Sequence, residues 1–164
     1  MKKIIFRLLF VALLFFISYW SYAHSGWLNL KADRQLIKLS LRQNFWASEE
    51  RELLVELVKS PESARQGLSL RSSLTSFDGQ VVDGLLFVFA KEQPLVFWMK
   101  DMLFDIDICF LRRGQFLSCA RHAPAQKENE APASFASPAL ANMVLETLPD
   151  FLTDDDLQLK LFFK

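Results

Sequence analysis

The sequence predicts a mostly β (α+β) fold: a small compact β-barrel or sandwich of seven to eight short strands with one or two short helices. Three observations predict it. "FDIDICFL" (Phe104 to Leu111) alternates cleanly, with Phe104, Ile106, Ile108 and Phe110 facing one way and Asp105, Asp107 and Cys109 the other. "LLFVFA" (Leu85 to Ala90) is continuously apolar, as in a strand covered on both faces. Polar turns recur between such runs, while helix starts are scarce.

Taken in order, "LIKLSL" (Leu36 to Leu41) alternates loosely and reads as a first strand. "NFWASEER" turns the chain, and "LLVELVK" (Leu53 to Lys59) is a second strand. Ser60-Pro61-Glu62 then supplies a capping hydroxyl, a proline at the first helical position and an acid in the first turn. Gly67 is a natural stop, so this helix has about two turns. After the polar turn Ser76-Phe77-Asp78-Gly79 comes the apolar strand "LLFVFA"; "KEQP" breaks it, and "LVFWMK" (Leu95 to Lys100) is expected as its hairpin partner. "FDIDICFL" and "QFLSCARH" pair around Arg113-Gly114. Ala123 to Pro138, rich in alanine, proline and polar residues, reads as a long loop of the kind that is functional or disordered. "NMVLETL" (Asn142 to Leu148) and "LQLKLFF" (Leu157 to Phe163) are late strands, separated by a short helical turn near Pro149 to Asp154.

The chain of 164 residues is long enough for one domain with a substantial core and too short for two comfortable ones. Half its residues are apolar and under a quarter are charged, which excludes a disordered chain. The N-terminus has the makings of an export segment. Met1 to Arg7 is positive, Leu8 to Ile17 is an unbroken apolar run, and Ser21-Tyr22-Ala23 places small residues where a signal peptidase reads. The sequence thus divides into a signal peptide or N-terminal anchor over 1–23, a linker over 24–34 and a single β-rich domain over 35–164. Cleavage gives a periplasmic or otherwise exported protein; retention gives an inner-membrane anchor with an exported domain. Membrane contact is expected only through that segment. Without Lys2, Lys3 and Arg7 the remainder holds sixteen bases against nineteen acids, a net charge near −3, which argues against a nucleic-acid partner.

Export changes what Cys109 and Cys119 can be, because an oxidising compartment favours a disulfide. If Gly114 takes the left-handed position of a three-residue loop, the two lie directly opposite. A two-residue loop would leave them diagonal, out of easy bonding reach. Two unpaired cysteines packed as small apolar residues is the competing reading.

Catalytic chemistry is thinly supplied. His24 falls at the expected cleavage point, so His122 is the one histidine of the domain, which excludes a histidine-rich metal site. No G-x-S-x-G, P-loop, G-x-G-x-x-G or C-x-x-C occurs, and no cofactor is implied. Asp105 and Asp107, two apart on one strand, have the spacing of an acid/base pair and equally of a solvated strand face. Trp98 and Lys100 share a face of the preceding strand, either as a binding platform or as a lysine snorkelling over an indole.

The segments "VELVKSPESARQGLSLR", "DGLLFVF", "FWMKD", "IDICFL" and "NMVLE", in that order, resemble the bacterial and archaeal family called domain of unknown function 192. Its pattern runs from an acid-containing strand through a short helix ending in G-L-x-x-R to G-[ML]-L-F-V-F, F-W-M-K-N and L-D-I-x-F. The resemblance covers about Leu53 to Phe163. Ser69 and Leu85 replace the family's methionines, Asp101 its asparagine and Asp105 its proline, so only Asp107 of the aspartate pair matches the pattern. The resemblance implies a small, mostly β, often exported domain and no established reaction.

Three functional readings follow. One is a non-enzymatic envelope domain binding a small ligand, glycan or partner protein in a groove near Trp98 and the 123–138 loop, with Arg71, Trp98, Lys100 and Asp107 forming its polar lip. The second is an enzyme using Lys100 and Asp107 in acid/base roles. The third is a structural component of an envelope assembly.

Overall fold

The computed structural model describes residues 31–44, 46–48 and 51–164. The chain divides into Met1–Ala32 and Asp33–Lys164, and every strand and helix among the described residues falls in the second unit. The expected export segment, 1–23, lies outside the described residues, as does most of the expected linker. Among the described residues no helix is long and apolar enough to cross a membrane.

Among the described residues nine strands form: β1 (Leu36–Arg42), β2 (Arg51–Val58), β3 (Gly84–Gln93), β4 (Val96–Trp98), β5 (Ile106–Arg112), β6 (Gln115–Ala123), β7 (Ser134–Ala136), β8 (Ala141–Thr147) and β9 (Lys160–Phe163). One helix, α1 (Pro61–Gln66), follows β2, and a 3-10 turn over Asp156–Gln158 precedes β9. Seven strands close into a barrel in the order β1-β2-β3-β8-β5-β6-β9, while β4 and β7 pair as a separate ribbon. Every junction of the barrel is antiparallel except β2–β3. The fold is therefore the small β-barrel that the alternating runs imply.

Alternation along the strands makes two cores. Leu39, Leu41, Leu53, Val55, Leu57, Leu86 and Leu145 are fully buried and fill the barrel. Val58, Leu85, Phe87, Ile108, Phe110 and Val144 point outward into a second apolar cluster, which Leu68, Leu74, Leu95, Met99 and Met102 cover from outside the barrel. This outer core explains why "LLFVFA" begins without a polar face: β3 is buried on both sides over Gly84–Phe87. The structure places α1 where the sequence does, with the Ser60 hydroxyl accepting from the Ser63 N–H and Gly67 (φ +47°) as the C-cap.

Two local expectations are corrected. "LVFWMK" is not the hairpin partner of β3, because both edges of β3 are taken, by β2 and β8. Its strand β4 pairs instead with β7, so the 123–138 segment is not wholly a loop. Phe97 of this ribbon points at the barrel and meets Phe87 edge-on, ring centroids 4.8 Å apart. The β5–β6 turn is the other correction. It has two residues, Arg113 (φ +51°) and Gly114 (φ +82°), not three. A bulge between the Leu111–Phe116 and Phe110–Ser118 pairs supplies the missing residue, so Cys109 still lies directly opposite Cys119. The two are joined by a disulfide, their Cα atoms 3.9 Å apart.

Candidate functional site

Outside the barrel, the register sets Glu56 of β2 opposite Leu85 of β3, and Leu85 opposite Glu146 of β8. The two acids thus flank one leucine on the same outer face, under the segment that follows α1. Glu56 has no exposed surface and is fully engaged. Arg71 donates to it through Nη1 (2.9 Å to Oε2) and Nη2 (3.3 Å to Oε1), Arg34 donates to Oε1 (3.0 Å), and the Phe77 N–H donates to Oε2 (2.7 Å). Arg71 also donates to the Thr75 carbonyl, which closes the 71–75 loop upon itself. Asp33 and Arg34, placed in the linker by sequence, belong to this arrangement: Asp33 accepts from the Lys59 and Ser60 N–H groups beside it.

Glu146 is the opposite case. Burial pushes its carboxyl up to about 8, with the Arg71 charge working against the shift. At neutral pH it is therefore a neutral acid. Its Oε2 is buried and makes no hydrogen bond among the described residues. Gly67 crosses just above: a Cβ there would stand 3.9 Å from that oxygen and 3.3 Å from Phe87 Cζ.

The loop held by Arg71 in turn holds the turn after β4. The Leu70 N–H donates to the Asp101 carbonyl (2.8 Å) and the Ser69 hydroxyl to the Lys100 carbonyl (2.8 Å). From the other side Gln126 accepts from the Asp101 N–H (2.8 Å), and its own N–H donates to the Met102 carbonyl. Met99 and Met102 plug this turn into the outer core. Trp98 and Lys100 are left facing solvent, with Trp98 half exposed and Lys100 Nζ 5.5 Å from the centroid of its ring. Leu70, whose N–H bonds the Asp101 carbonyl, is exposed as well.

Of the four residues expected at one lip, the structure brings Trp98 and Lys100 together, while Arg71 bonds Glu56 and the Thr75 carbonyl and reaches that turn only through its neighbours Ser69 and Leu70. Asp107 is elsewhere. It is fully buried on the other face of β5, where it accepts from Arg121 Nη1 (2.7 Å), the His122 N–H (2.8 Å) and the Asp150 N–H (3.0 Å). His122 and Asp150 both have positive φ, so this carboxylate fixes two strained backbones rather than a substrate. Asp105, by contrast, is exposed and accepts from the Ala125 N–H. The His122 ring lies 3.1 Å from Asp150 at the surface. Glu56, Glu146 and Arg121 were not singled out by sequence. The acids of "VELV" and "NMVLE" could have been noticed as charges set in apolar strands, since such groups need a partner or a shifted pKa.

A family model, that of domain of unknown function 192 ("Uncharacterized ACR"), matches residues 44–159. No curated protein matches the chain. Crystal structures similar to the chain include these two. One, from Sinorhizobium meliloti 1021 and described as a candidate transcription regulator, is 21% identical over 81% of this chain and 97% of its own, with a TM-score of 0.61. The other, a protein of unknown function from Novosphingobium aromaticivorans DSM 12444, is 18% identical over 79% of this chain and 85% of its own, with a TM-score of 0.59. Identities this low speak for a shared fold only.

Proposed function

The chain belongs to the domain of unknown function 192 family, and we propose that within it this protein is an exported, non-catalytic binding domain. Its ligand sits on the Trp98–Lys100 platform beside the 123–138 segment. The observation that carries this reading is an exposed indole with an ammonium group 5.5 Å away, on a turn clamped from both sides. An aromatic face takes the apolar face of a ring, and the lysine takes an acidic substituent. A saccharide bearing a carboxylate combines the two. Rigidity favours binding, because a preformed site loses little entropy when it is filled.

Against an enzyme using Lys100 and Asp107 as acid and base stands the use already made of Asp107. Asp107 is committed to Arg121 and two backbone donors, and Glu56 to two arginines and one. Export is supported by the positive start and apolar run of the N-terminus, and by a disulfide suited to an oxidising compartment.

The test is native mass spectrometry of the full-length protein purified from its own cells, beside Trp98→Ala and Lys100→Ala. Wild type should carry a co-purified ligand that both variants lose, while their melts shift by no more than about 0.5 kcal/mol, as for surface substitutions. Retention of that ligand by both variants would sink the reading. Intact mass of the envelope-derived protein settles the export segment: a chain beginning at His24 is expected.

A further inference from the structure

A row of cations crosses the outer wall of the barrel at the end of the strands next to the β5–β6 turn. Arg42 of β1 lies directly opposite Lys160 of β9, Lys160 opposite Gln115 of β6, and Gln115 opposite Arg112 of β5. Direct partners across strands point to the same face, so these four side chains form one lateral line. Arg42 and Lys160 both lie over the Phe162 ring, at 5.4 and 5.8 Å from its centroid, which confirms that they share a face. Arg113 joins the line from the adjoining turn. Arg112, Arg113, Gln115 and Lys160, with Glu92, line a shallow cleft of about 360 Å³.

The charge balance here is unusual for the molecule. Residues 33–164 hold fifteen bases and nineteen acids, yet this cleft has three bases and one acid. That acid, Glu92, is bonded to Arg113 Nε (2.6 Å). Arg112 is exposed and has no ion-pair partner among the described residues. Like charges set directly opposite on neighbouring strands destabilise a sheet. An anion seated in the cleft against Lys160 and Arg112 would offset part of that repulsion.

We infer that this cleft is a binding site for a phosphate group, carried by an anionic lipid headgroup or by a small soluble phosphate ester. Guanidinium groups bind phosphate oxygens in pairs, and lysine adds a mobile point charge. Strands are spaced by about 4.8 Å, so the row spans on the order of 14 Å. That is too short for the ~6–10 phosphate contacts on which nucleic-acid binding commonly rests.

The experiment uses the full-length protein with three probes: inorganic pyrophosphate, vesicles with and without phosphatidylglycerol in phosphatidylcholine, and duplex DNA. The apolar N-terminus is common to all variants, so the readout is the preference for anionic over zwitterionic vesicles. Each cation near an anionic surface contributes a factor of roughly 5 at low salt, so R112Q/K160Q should lose about 30-fold of the preference. E92Q, which releases Arg113, should gain several-fold. Vesicle binding without pyrophosphate binding assigns the lipid headgroup; pyrophosphate binding that competes with vesicles assigns a soluble phosphate. Unchanged affinities in R112Q/K160Q with a wild-type melt, or no binding of either phosphate probe by wild type, overturn the inference. So does a preference for duplex DNA that R112Q/K160Q removes.

Discussion

Glu146 and Glu56 are separated by one leucine across the sheet, yet the arginines hydrogen-bond Glu56 while Glu146 Oε2 has no such partner among the described residues. This makes stability pH-dependent in a definite direction. In the unfolded chain the Glu146 carboxyl ionises near 4.5; in the fold burial moves it to about 8. Its contribution is fully present below the lower value and is lost as pH rises through the higher one. Between pH 5 and 8 wild type should lose on the order of 3 kcal/mol to this group alone, and Glu146→Gln should abolish that slope. Urea melts at the two pH values measure it. Equal slopes in both proteins would mean that Glu146 is ionised and solvated at neutral pH. Removing the other partner has a different cost. Arg71→Met strips Glu56 of its bidentate donor inside the protein and should destabilise by ~3–5 kcal/mol at pH 7. At this scale the sequence was only partly legible. "FWMKD" put Trp98 and Lys100 on one strand face; Trp98 does end β4, but Lys100 lies in the turn after it, its Nζ 5.5 Å from the ring centroid. It could not pair Arg71 with Glu56 or Asp107 with Arg121, since those contacts depend on strand register, not on spacing along the chain.

The β5–β6 hairpin shows how an element can reach an expected end by another route. Alternation identified both strands and the turn, but a two-residue turn and a bulge give the same opposition of Cys109 and Cys119 as a three-residue loop. No residue type marks the bulge, so its place was not readable. The turn itself tolerates little. Gly114 has φ +82°, its carbonyl accepts from the Leu161 N–H, and an added Cβ would come 2.4 Å from the Leu161 carbonyl oxygen. Gly114→Ala should therefore cost on the order of 3 kcal/mol by chemical denaturation. Gly79, at a similar φ of +81° but with open space around it, should lose only the conformational part, about 1 kcal/mol. Similar losses at the two sites would show that backbone conformation, rather than the contact with β9, sets the cost. The ribbon β4–β7 was the least legible element. Three residues in an alanine- and proline-rich stretch carry no periodicity, and β7 exists because Phe97 draws β4 onto the outer core.

For the whole molecule, a mostly β domain followed directly from the alternating and apolar runs, whereas strand order did not. Short strands with polar turns fit an up-and-down meander as well as this barrel, and nothing local told β2 to run beside β3 in the same direction. Counting strands supplies the reason. Going once around a closed ring, the chain direction must return to its start, so the number of antiparallel junctions has to be even. Seven strands cannot meet that condition with antiparallel junctions alone; one junction must be parallel, and here it is β2–β3. A parallel neighbour cannot be reached by a tight turn, so a long crossover between them is obligatory. That crossover is the stretch carrying α1, Gly67 and Arg71, the roof over Glu146 and the clamp on the Trp98 turn. The odd strand count thus requires a parallel junction somewhere, and because it falls between β2 and β3 the chain leaves the barrel wall where its candidate site is built.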